Sequence, residues 1–246
     1  MEITFLGTGH GVPSAERATS SIMISIGDKN YYIDAGAPIS ERTLAAGKNI
    51  EDAKAIFTTH AHGDHTAGLV LFTDLYNWRY RDSSIDIYLT EKALADAITS
   101  FVSAASKPLD TERIHLHTVT PDFVYDDGTV RVTLHKTHHI KVLDRPAYGI
   151  LFEAEGKRLY FSGDLSQRLA ENDFPSDVLS EDVDLFVCEL AHFSLDDIGD
   201  RLDKIKAKRV AFNHVYPLAK YDEIAKLKSR YPFEVLTPSD MDTIFI

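Results

Sequence analysis

The sequence predicts an α/β fold built as one domain over residues 1–246, and two observations support this prediction. A chain of 246 residues with 44% hydrophobic residues can bury one sizeable core. Strand-rich segments followed by helical segments occur twice along the chain, with no linker, low-complexity stretch or sequence repeat between the halves. We therefore expect two mixed β-sheets with helices on their outer faces.

The first half of the chain contains short runs of β-branched and aromatic residues, which are typical of strands. A glycine-containing turn at residues 27–30 joins two of these runs and indicates a hairpin. Helical segments follow, the longest of them with Thr90 as its expected N-cap. The predicted strands are 3–6, 21–26, 31–33 and 85–89, and the predicted helices are 40–46, one beginning at 66, and 91–104.

The second half repeats this order. A hairpin is expected about the turn at 155–157, and buried strands are expected just before the polar residues at 189 and 213. The predicted strands are 130–134, 148–152, 158–161, 184–187 and 208–212, followed by a helix at 221–230. Residues 233–236 and 243–246 are expected to close the second sheet.

The composition excludes several classes of function. A net charge of −12 and a pI near 5.3 argue against a broad electrostatic grip on nucleic acid, which needs clustered Lys and Arg. Cys188 is the only cysteine, so the chain cannot form an intrachain disulfide. The sequence shows no leader-like start and no apolar run of membrane-spanning length, so we expect a cytoplasmic protein that does not use a membrane.

One dense run of polar residues, His60, His62, Asp64 and His65, dominates the sequence. Imidazole nitrogens and carboxylate oxygens form the ligand set of borderline-soft divalent ions such as zinc. A run this short cannot place four side chains around one tetrahedral ion without severe strain, so it predicts two ions side by side. Each ion then needs further ligands from elsewhere in the chain.

This run and its surroundings resemble the metallo-β-lactamase-fold hydrolases. Within them the chain resembles the branch that holds ribonuclease Z and small phosphodiesterases of the phosphonate-pathway and exonuclease-like types. The opening Phe-Leu-Gly-Thr-Gly, followed by Pro13 and Arg17, is similar to the start of ribonuclease Z-type enzymes, in which this turn lies close to the metal centre. The resemblance implies a four-layer αββα sandwich of two mixed β-sheets.

The resemblance also implies a full set of metal ligands. One ion would take His60, His62 and His139, the other would take Asp64, His65 and His214, and Asp164 would bridge the two. His138 is an open alternative to His139, because adjacent residues of a strand point to opposite faces. Asp34 would orient the ligand loop without touching metal. The two divalent ions are expected to be zinc, with manganese or iron as alternatives.

The expected reaction is hydrolysis by a hydroxide held between the two ions. The catalytic residues would be Asp64 and His192, since His192 lies in a context that loosely resembles a region of ribonuclease Z carrying a phosphate-binding or proton-donating histidine. Glu189 would orient His192. A plain surface histidine is the competing interpretation of His192.

The expected substrate is a small or cyclic phosphodiester or a short nucleic-acid end. Ribonuclease Z enzymes carry a long inserted arm that grips tRNA, whereas here His139 and Asp164 are only 25 positions apart. This short interval and the acidic charge argue against tRNA maturation. The alternative function is hydrolysis of a carboxylic ester, lactone or thioester on the same metal site, and a homodimer is an open alternative for the assembly.

Two more histidines, His115 and His117, alternate with apolar residues at 114–117. Alternation of this kind indicates a half-buried strand with both imidazoles on one exposed face. We favour that interpretation over metal ligation.

Overall fold

The computed structural model describes residues 1–227 and 229–246, and for Val142, Arg168, Ala170 and Glu171 it describes the backbone alone. The chain divides into two compact units, one of Met1–Thr120 with Ser239–Phe245 and one of Pro121–Pro238 with Ile246. The assignment of residues 1–246 to one domain stays a prediction. Within the described part of the chain, no helix is both long enough and apolar enough to cross a bilayer.

The first unit contains a mixed sheet. Its strands are β1 (Glu2–Gly7), β2 (Ser21–Ile26), β3 (Lys29–Ile33), β4 (Ala53–Phe57), β5 (Ile85–Leu89), β6 (Ile114–Thr118) and β14 (Thr243–Phe245), in the order β14-β1-β2-β3-β4-β5-β6. Its helices are α1 (Ile39–Ala45), α2 (Gly63–Thr66), α3 (Leu69–Trp78) and α4 (Lys92–Ala105), with a 3₁₀ turn at Ile50–Asp52. Apolar side chains of the sheet, among them Tyr32 and Ile56, pack with Phe72 and Tyr76 of α3 into one buried cluster.

The second unit contains another mixed sheet. Its strands are β7 (Val124–Asp126), β8 (Val130–Thr137), β9 (Ala147–Ala154), β10 (Lys157–Phe161), β11 (Leu185–Leu190), β12 (Arg209–Val215) and β13 (Glu234–Leu236), in the order β13-β12-β11-β10-β9-β8-β7. Its helices are α5 (Ser176–Leu179), α6 (Leu195–Leu202) and α7 (Lys220–Leu227), with 3₁₀ turns at Lys141–Leu143 and Gln167–Asn172. Tyr160, Phe186, Phe212 and Ile198 belong to its buried core.

Each sheet has one parallel half, and this arrangement positions the polar residues. Strands β3, β4, β5 and β6 are parallel in the first sheet, and β10, β11, β12 and β13 are parallel in the second. The carboxyl ends of neighbouring parallel strands meet at one edge of a sheet, where ligands of such folds bind. Asp34 and the run from His60 follow β3 and β4, whereas Asp164 follows β10.

The structure corrects three details of the sequence prediction. Residues 243–246 do not close the second sheet, because β14 pairs with β1 of the first sheet, with Ile244 opposite Ile3. Helix α4 begins at Lys92 with Glu91 as its N-cap, so Thr90 is not the cap. The helix predicted at 221–230 is α7, but residues 229 and 230 lie in a turn rather than in the helix, and position 228 lies outside the described residues.

Candidate metal centre

The first unit gathers four potential ligands in the loop after β4. His60 and His65 are buried, and Nε2 of His60 lies 3.0 Å from Nδ1 of His62. The short helix α2 begins at Gly63 and therefore carries Asp64 and His65 in its single turn. Nε2 of His65 lies 3.5 Å from Oδ2 of Asp64.

Asp34 holds this loop in place from the end of β3. Its Oδ1 accepts a hydrogen bond from the backbone N–H of Thr59 at 2.7 Å, and its Oδ2 lies 2.7 Å from Nδ1 of His65. Since a carboxylate is an acceptor, the proton of His65 belongs on Nδ1, which leaves the lone pair of Nε2 towards Asp64. A carboxylate behind a histidine is a common way to orient a metal ligand. Asp34 adopts this position with a φ of +60°, which a glycine or a short polar residue accepts best.

The glycine-rich turn after β1 approaches the same loop. A Cβ atom at Gly11 would lie 2.9 Å from Oδ2 of Asp64, closer than non-bonded atoms tolerate. Asp240 fastens the turn from the far end of the chain, since its Oδ1 accepts hydrogen bonds from the N–H and the hydroxyl of Thr8 at 2.9 and 2.7 Å. Its Oδ2 accepts the N–H of Ala18 at 2.6 Å.

The second unit gathers its potential ligands around Asp164. Oδ2 of this buried carboxylate lies 3.3 Å from Nε2 of His214 and 3.5 Å from Nε2 of His139. Nε2 of His192 lies 3.9 Å from the same oxygen. Asp164 follows β10 and His214 lies near the end of β12, so the shared edge of parallel strands brings these two together.

The structure distinguishes the two adjacent candidates for the third histidine. His139 directs Nδ1 to the backbone carbonyl of Leu165 at 3.0 Å, which places the proton on Nδ1 and turns the lone pair of Nε2 towards Asp164. Burial lowers the pKa of His139, and the nearby Asp164 carboxylate opposes that shift in part. His138 is engaged elsewhere, with Nδ1 2.6 Å from a carboxylate oxygen of Asp173. This geometry favours His139 over His138 as the ligand.

Glu189 and Lys220 position His192. Oε1 of the buried Glu189 lies 3.0 Å from Nδ1 of His192, and its Oε2 accepts the backbone N–H of Ala191 at 2.6 Å. Lys220 donates from Nζ to the carbonyls of Leu190 and Phe193 at 3.0 and 2.7 Å. The segment that carries His192 is therefore held from both sides.

The donor groups of each unit are of the kind that bind a divalent metal ion. In the neutral rings of His65 and His139, the lone pair of Nε2 faces a carboxylate oxygen. Two acceptors that face each other repel, and a cation bound between them would turn this repulsion into attraction to both. The nitrogen–oxygen separations of 3.3–3.5 Å match the edge of a zinc tetrahedron, roughly 3.3 Å for bonds of about 2.0 Å. Histidine and aspartate groups of this kind suit zinc and neighbouring transition metals.

Comparison with known proteins now identifies the family. The profile of a family described as "Anti-Pycsar protein Apyc1" matches residues 1–228. The chain belongs to the Apyc1 family. The ribonuclease Z of Thermosynechococcus vestitus is 33% identical over 141 residues, which cover 56% of this chain and 34% of that protein. The chain spans between a third and about half the length of the curated relatives it matches.

Solved structures show the fold of this Apyc1-family protein. The metallo-β-lactamase fold protein YhfI from Bacillus subtilis superposes with a TM-score of 0.79 at 18% identity and covers 99% of this chain and 98% of its own. The short form of human tRNase Z, ELAC1, superposes with a TM-score of 0.76 at 20% identity and covers 100% of this chain and 99% of its own. The predicted metallo-β-lactamase fold, with its two mixed sheets and flanking helices, is confirmed.

The potential ligands form a first half-site in one unit (His60, His62, Asp64 and His65) and a second half-site in the other (His139, Asp164 and His214). Three residues of this Apyc1-family protein hold the turns and loops that carry these half-sites, and they were not singled out from sequence: Asp240, Asp173 and Lys220. Each acts through contacts between residues far apart in the chain. The residues next to Asp240 and Lys220 in the sequence, Ser239 and Tyr221, give no indication of such a role. They become visible only when the fold brings their partners within hydrogen-bond distance.

Proposed function

We propose that this protein is a metal-dependent phosphodiesterase that hydrolyses a small or cyclic phosphodiester. The observation that supports this most directly is the placement of His192. Its Nδ1 is held 3.0 Å from the buried Glu189, and its Nε2 lies 3.9 Å from Asp164 among the histidines of the second half-site. A positioned imidazole beside a metal-ligand set suits protonation of a leaving oxygen.

We further propose that the half-sites of the two units bind the same two divalent ions, as the family resemblance implies. His60, His62 and His139 would hold one ion, and Asp64, His65 and His214 would hold the other. Asp164 would bridge the two. Divalent ions bound there would lower the pKa of water towards neutrality and polarise the phosphate.

The roles of the protein's own groups follow from their partners. Protonated His192 would donate from Nε2 to a phosphate oxygen or to the leaving oxygen, while Glu189 stabilises the imidazolium and keeps the ring turned. Asp64, whose side chain is 15% exposed, would hold metal and accept a hydrogen bond from the attacking water. Asp34 would keep His65 in the tautomer that ligates through Nε2.

The substrate class follows from the bond type and from the interval between His139 and Asp164. The curated relative is named a ribonuclease, and RNA cleavage breaks phosphodiester bonds. In this chain β9 and β10 form a simple antiparallel hairpin in that interval, where the tRNA-gripping arm would be inserted. With a net charge of −12, the chain suits a compact substrate better than a long polyanion.

Metal content and hydrolysis, measured on the same samples, test the proposal. We expect about two divalent ions per chain to be bound at this centre in the wild type, with cleavage of bis(p-nitrophenyl) phosphate and of a cyclic mononucleotide. Replacement His192→Ala should leave the metal content unchanged and lower kcat by about 10²–10⁴-fold, the contribution of a positioned proton donor.

An adjacent pair of variants provides the matched control. Replacement His139→Ala should lower the metal content, whereas His138→Ala should leave it unchanged. A wild-type protein that binds metal yet hydrolyses only lactones or thioesters would overturn the phosphodiesterase proposal. A wild-type protein with fewer than about one ion per chain would overturn the metal centre itself.

A further inference from the structure

A second group of metal-ligating side chains lies at the edge of the first sheet, on residues that the proposed centre does not use. His115 and His117 are two positions apart on the edge strand β6, so both side chains point to the same face. Asp86 lies opposite His115 on the neighbouring strand β5. The register of two parallel strands thus brings three potential ligands together.

The three side chains converge on one point. Oδ1 of Asp86 lies 2.7 Å from Nε2 of His117 and 3.1 Å from Nδ1 of His115. One ligand atom from each residue lies within 4.8 Å of those of the other two. The side chains are 37–43% exposed, which leaves room for water to complete a coordination shell.

The tautomer of His115 supports a cation at this point. Its Nε2 lies 3.2 Å from the backbone carbonyl of Glu112, and only an N–H can bond to that oxygen. In the neutral ring Nδ1 therefore carries the lone pair, and it faces the carboxylate of Asp86. A bound cation would satisfy both acceptors at once.

The ring of His117 is held in its orientation before any ion arrives. It stacks on Tyr88 with ring centroids 4.6 Å apart and an interplanar angle of 13°. Tyr88 in turn stacks on Phe57 at 5.1 Å and 8°. Because these residues occupy paired positions on β4, β5 and β6, the stack fixes the imidazole and reduces the entropy lost on binding.

We propose that Asp86, His115 and His117 form a surface site for one divalent transition-metal ion, of the class of zinc, cobalt or nickel. Two imidazoles and one carboxylate with an open position match the ligand types and number that such ions use. The ion would join β5 to the edge strand β6. The structure confirms that His115 and His117 lie on the partly exposed face of a strand. The proposal adds Asp86, which could not be paired with them from sequence.

Titration with Co²⁺, together with elemental analysis, tests this site. A protein with His115→Ala and His117→Ala should hold one ion fewer per chain than the wild type. It should also lose the absorption of the tetrahedral Co²⁺ ion at this site. The affinity of the site for Co²⁺ should fall at least about 100-fold, because loss of a group that only orients a ligand already costs up to that much. Turnover of bis(p-nitrophenyl) phosphate should stay unchanged, which separates this site from the proposed centre.

Two further variants keep the outcome decisive. Asp86→Asn leaves both histidines in place and should also lower the affinity for Co²⁺. Thr118→Ala, on the strand that carries the two histidines, should bind Co²⁺ as the wild type does. Equal ion content and equal Co²⁺ affinity in the wild type and the double variant would overturn the proposal. Should the double variant lose its fold by circular dichroism, the Asp86→Asn result decides.

Discussion

Oε1 of Glu189 lies 3.0 Å from Nδ1 of His192, and the Glu189 side chain is only 2% exposed. A carboxylate this deeply buried is stable only when its oxygens accept several hydrogen bonds. Besides His192, Glu189 accepts the backbone N–H groups of Leu165 and Ala191 at 2.9 and 2.6 Å. The same residue therefore organises the backbone after β10 and after β11 and aims the imidazole that we propose as the proton donor.

Replacement of Glu189 by glutamine tests this double role. Both carboxylate oxygens of Glu189 accept hydrogen bonds, so the NH₂ group of a glutamine would face an N–H donor in either orientation of the amide. At least one hydrogen bond is then replaced by a repulsion between two donors. We expect the free energy of unfolding to fall by about 1–3 kcal/mol. We also expect kcat to fall, by at most the roughly 10²–10⁴-fold of a lost proton donor, with KM and metal content unchanged. Urea unfolding and steady-state kinetics measure these effects, and a variant with wild-type kcat would contradict the positioning role.

Asp34→Asn is expected to weaken metal binding without removing any ligand. An amide can keep the hydrogen bond from Thr59 or the one from His65, but its NH₂ then opposes the other donor. Loss of such an outer-shell partner costs about 10–100-fold in metal affinity. Competition with a chelator measures the change. Asparagine tolerates the positive φ of this position, so backbone strain does not complicate the result.

Asp28→Asn is the matched control for that experiment. It makes the same change of charge in the exposed turn between β2 and β3. Metal affinity should remain that of the wild type. Equal losses in the two variants would mean that net charge, rather than the orientation of His65, determines metal affinity.

The residues of the first half-site could be predicted from sequence because their spacing is local. His60, His62, Asp64 and His65 lie in one loop, so no knowledge of strand pairing was needed to group them. The choice between His138 and His139 depended on distant partners. Asp173 engages one ring and Leu165 the other, and neither contact is encoded in the alternation of the strand before them.

The fold shows the same division between local and distant information. Strands β2 and β5 were predicted with their observed bounds, because composition and alternation define them within a few residues. Strand β14 was predicted to belong to the second sheet, which is wrong. It pairs with β1 at the opposite end of the chain, and local sequence carries no information about such a distant partner. Strand β7 and helix α6 were not predicted; β7 spans only three residues and has two exposed ones.

His135→Phe is expected to change how stability depends on pH. Burial lowers the pKa of His135, and the positive charge of Arg158 lowers it further. As pH falls below the ordinary histidine value of about 6.5, the unfolded chain takes up a proton before the folded protein does, so the wild type loses stability. Phenylalanine removes this loss and keeps a ring against Tyr160, whose centroid lies 5.7 Å from that of His135.

Urea unfolding of the metal-free proteins at about pH 7.5 and 5.5 measures the difference, since these values bracket the ordinary histidine pKa. The free energy of unfolding of the wild type should fall relative to that of the variant as pH decreases. Among the described residues, none forms a hydrogen bond with Nε2 of His135, so phenylalanine removes no partner of that atom. Parallel pH dependences for the two proteins would contradict the prediction.

Gly11→Ala is expected to disturb metal binding at the ion that Asp64 would hold. The new methyl carbon would lie 2.9 Å from Oδ2 and 3.1 Å from Cγ of Asp64, so either the carboxylate or the glycine-rich turn must move. The turn is fastened through Thr8 and Ala18 to Asp240, which makes movement of the carboxylate the easier response. Elemental analysis should show a loss of metal in Gly11→Ala and a matching loss of phosphodiesterase activity.

Gly63→Ala provides the comparison within the ligand run itself. This glycine lies between His62 and Asp64, and a Cβ atom there would meet no described atom within 4 Å. Its backbone begins helix α2, a conformation that alanine favours more than glycine does. Metal content should therefore be retained in Gly63→Ala and lost in Gly11→Ala, although Gly63 is much closer in sequence to the ligands. The opposite order would mean that flexibility of the ligand loop, rather than space beside Asp64, limits metal binding.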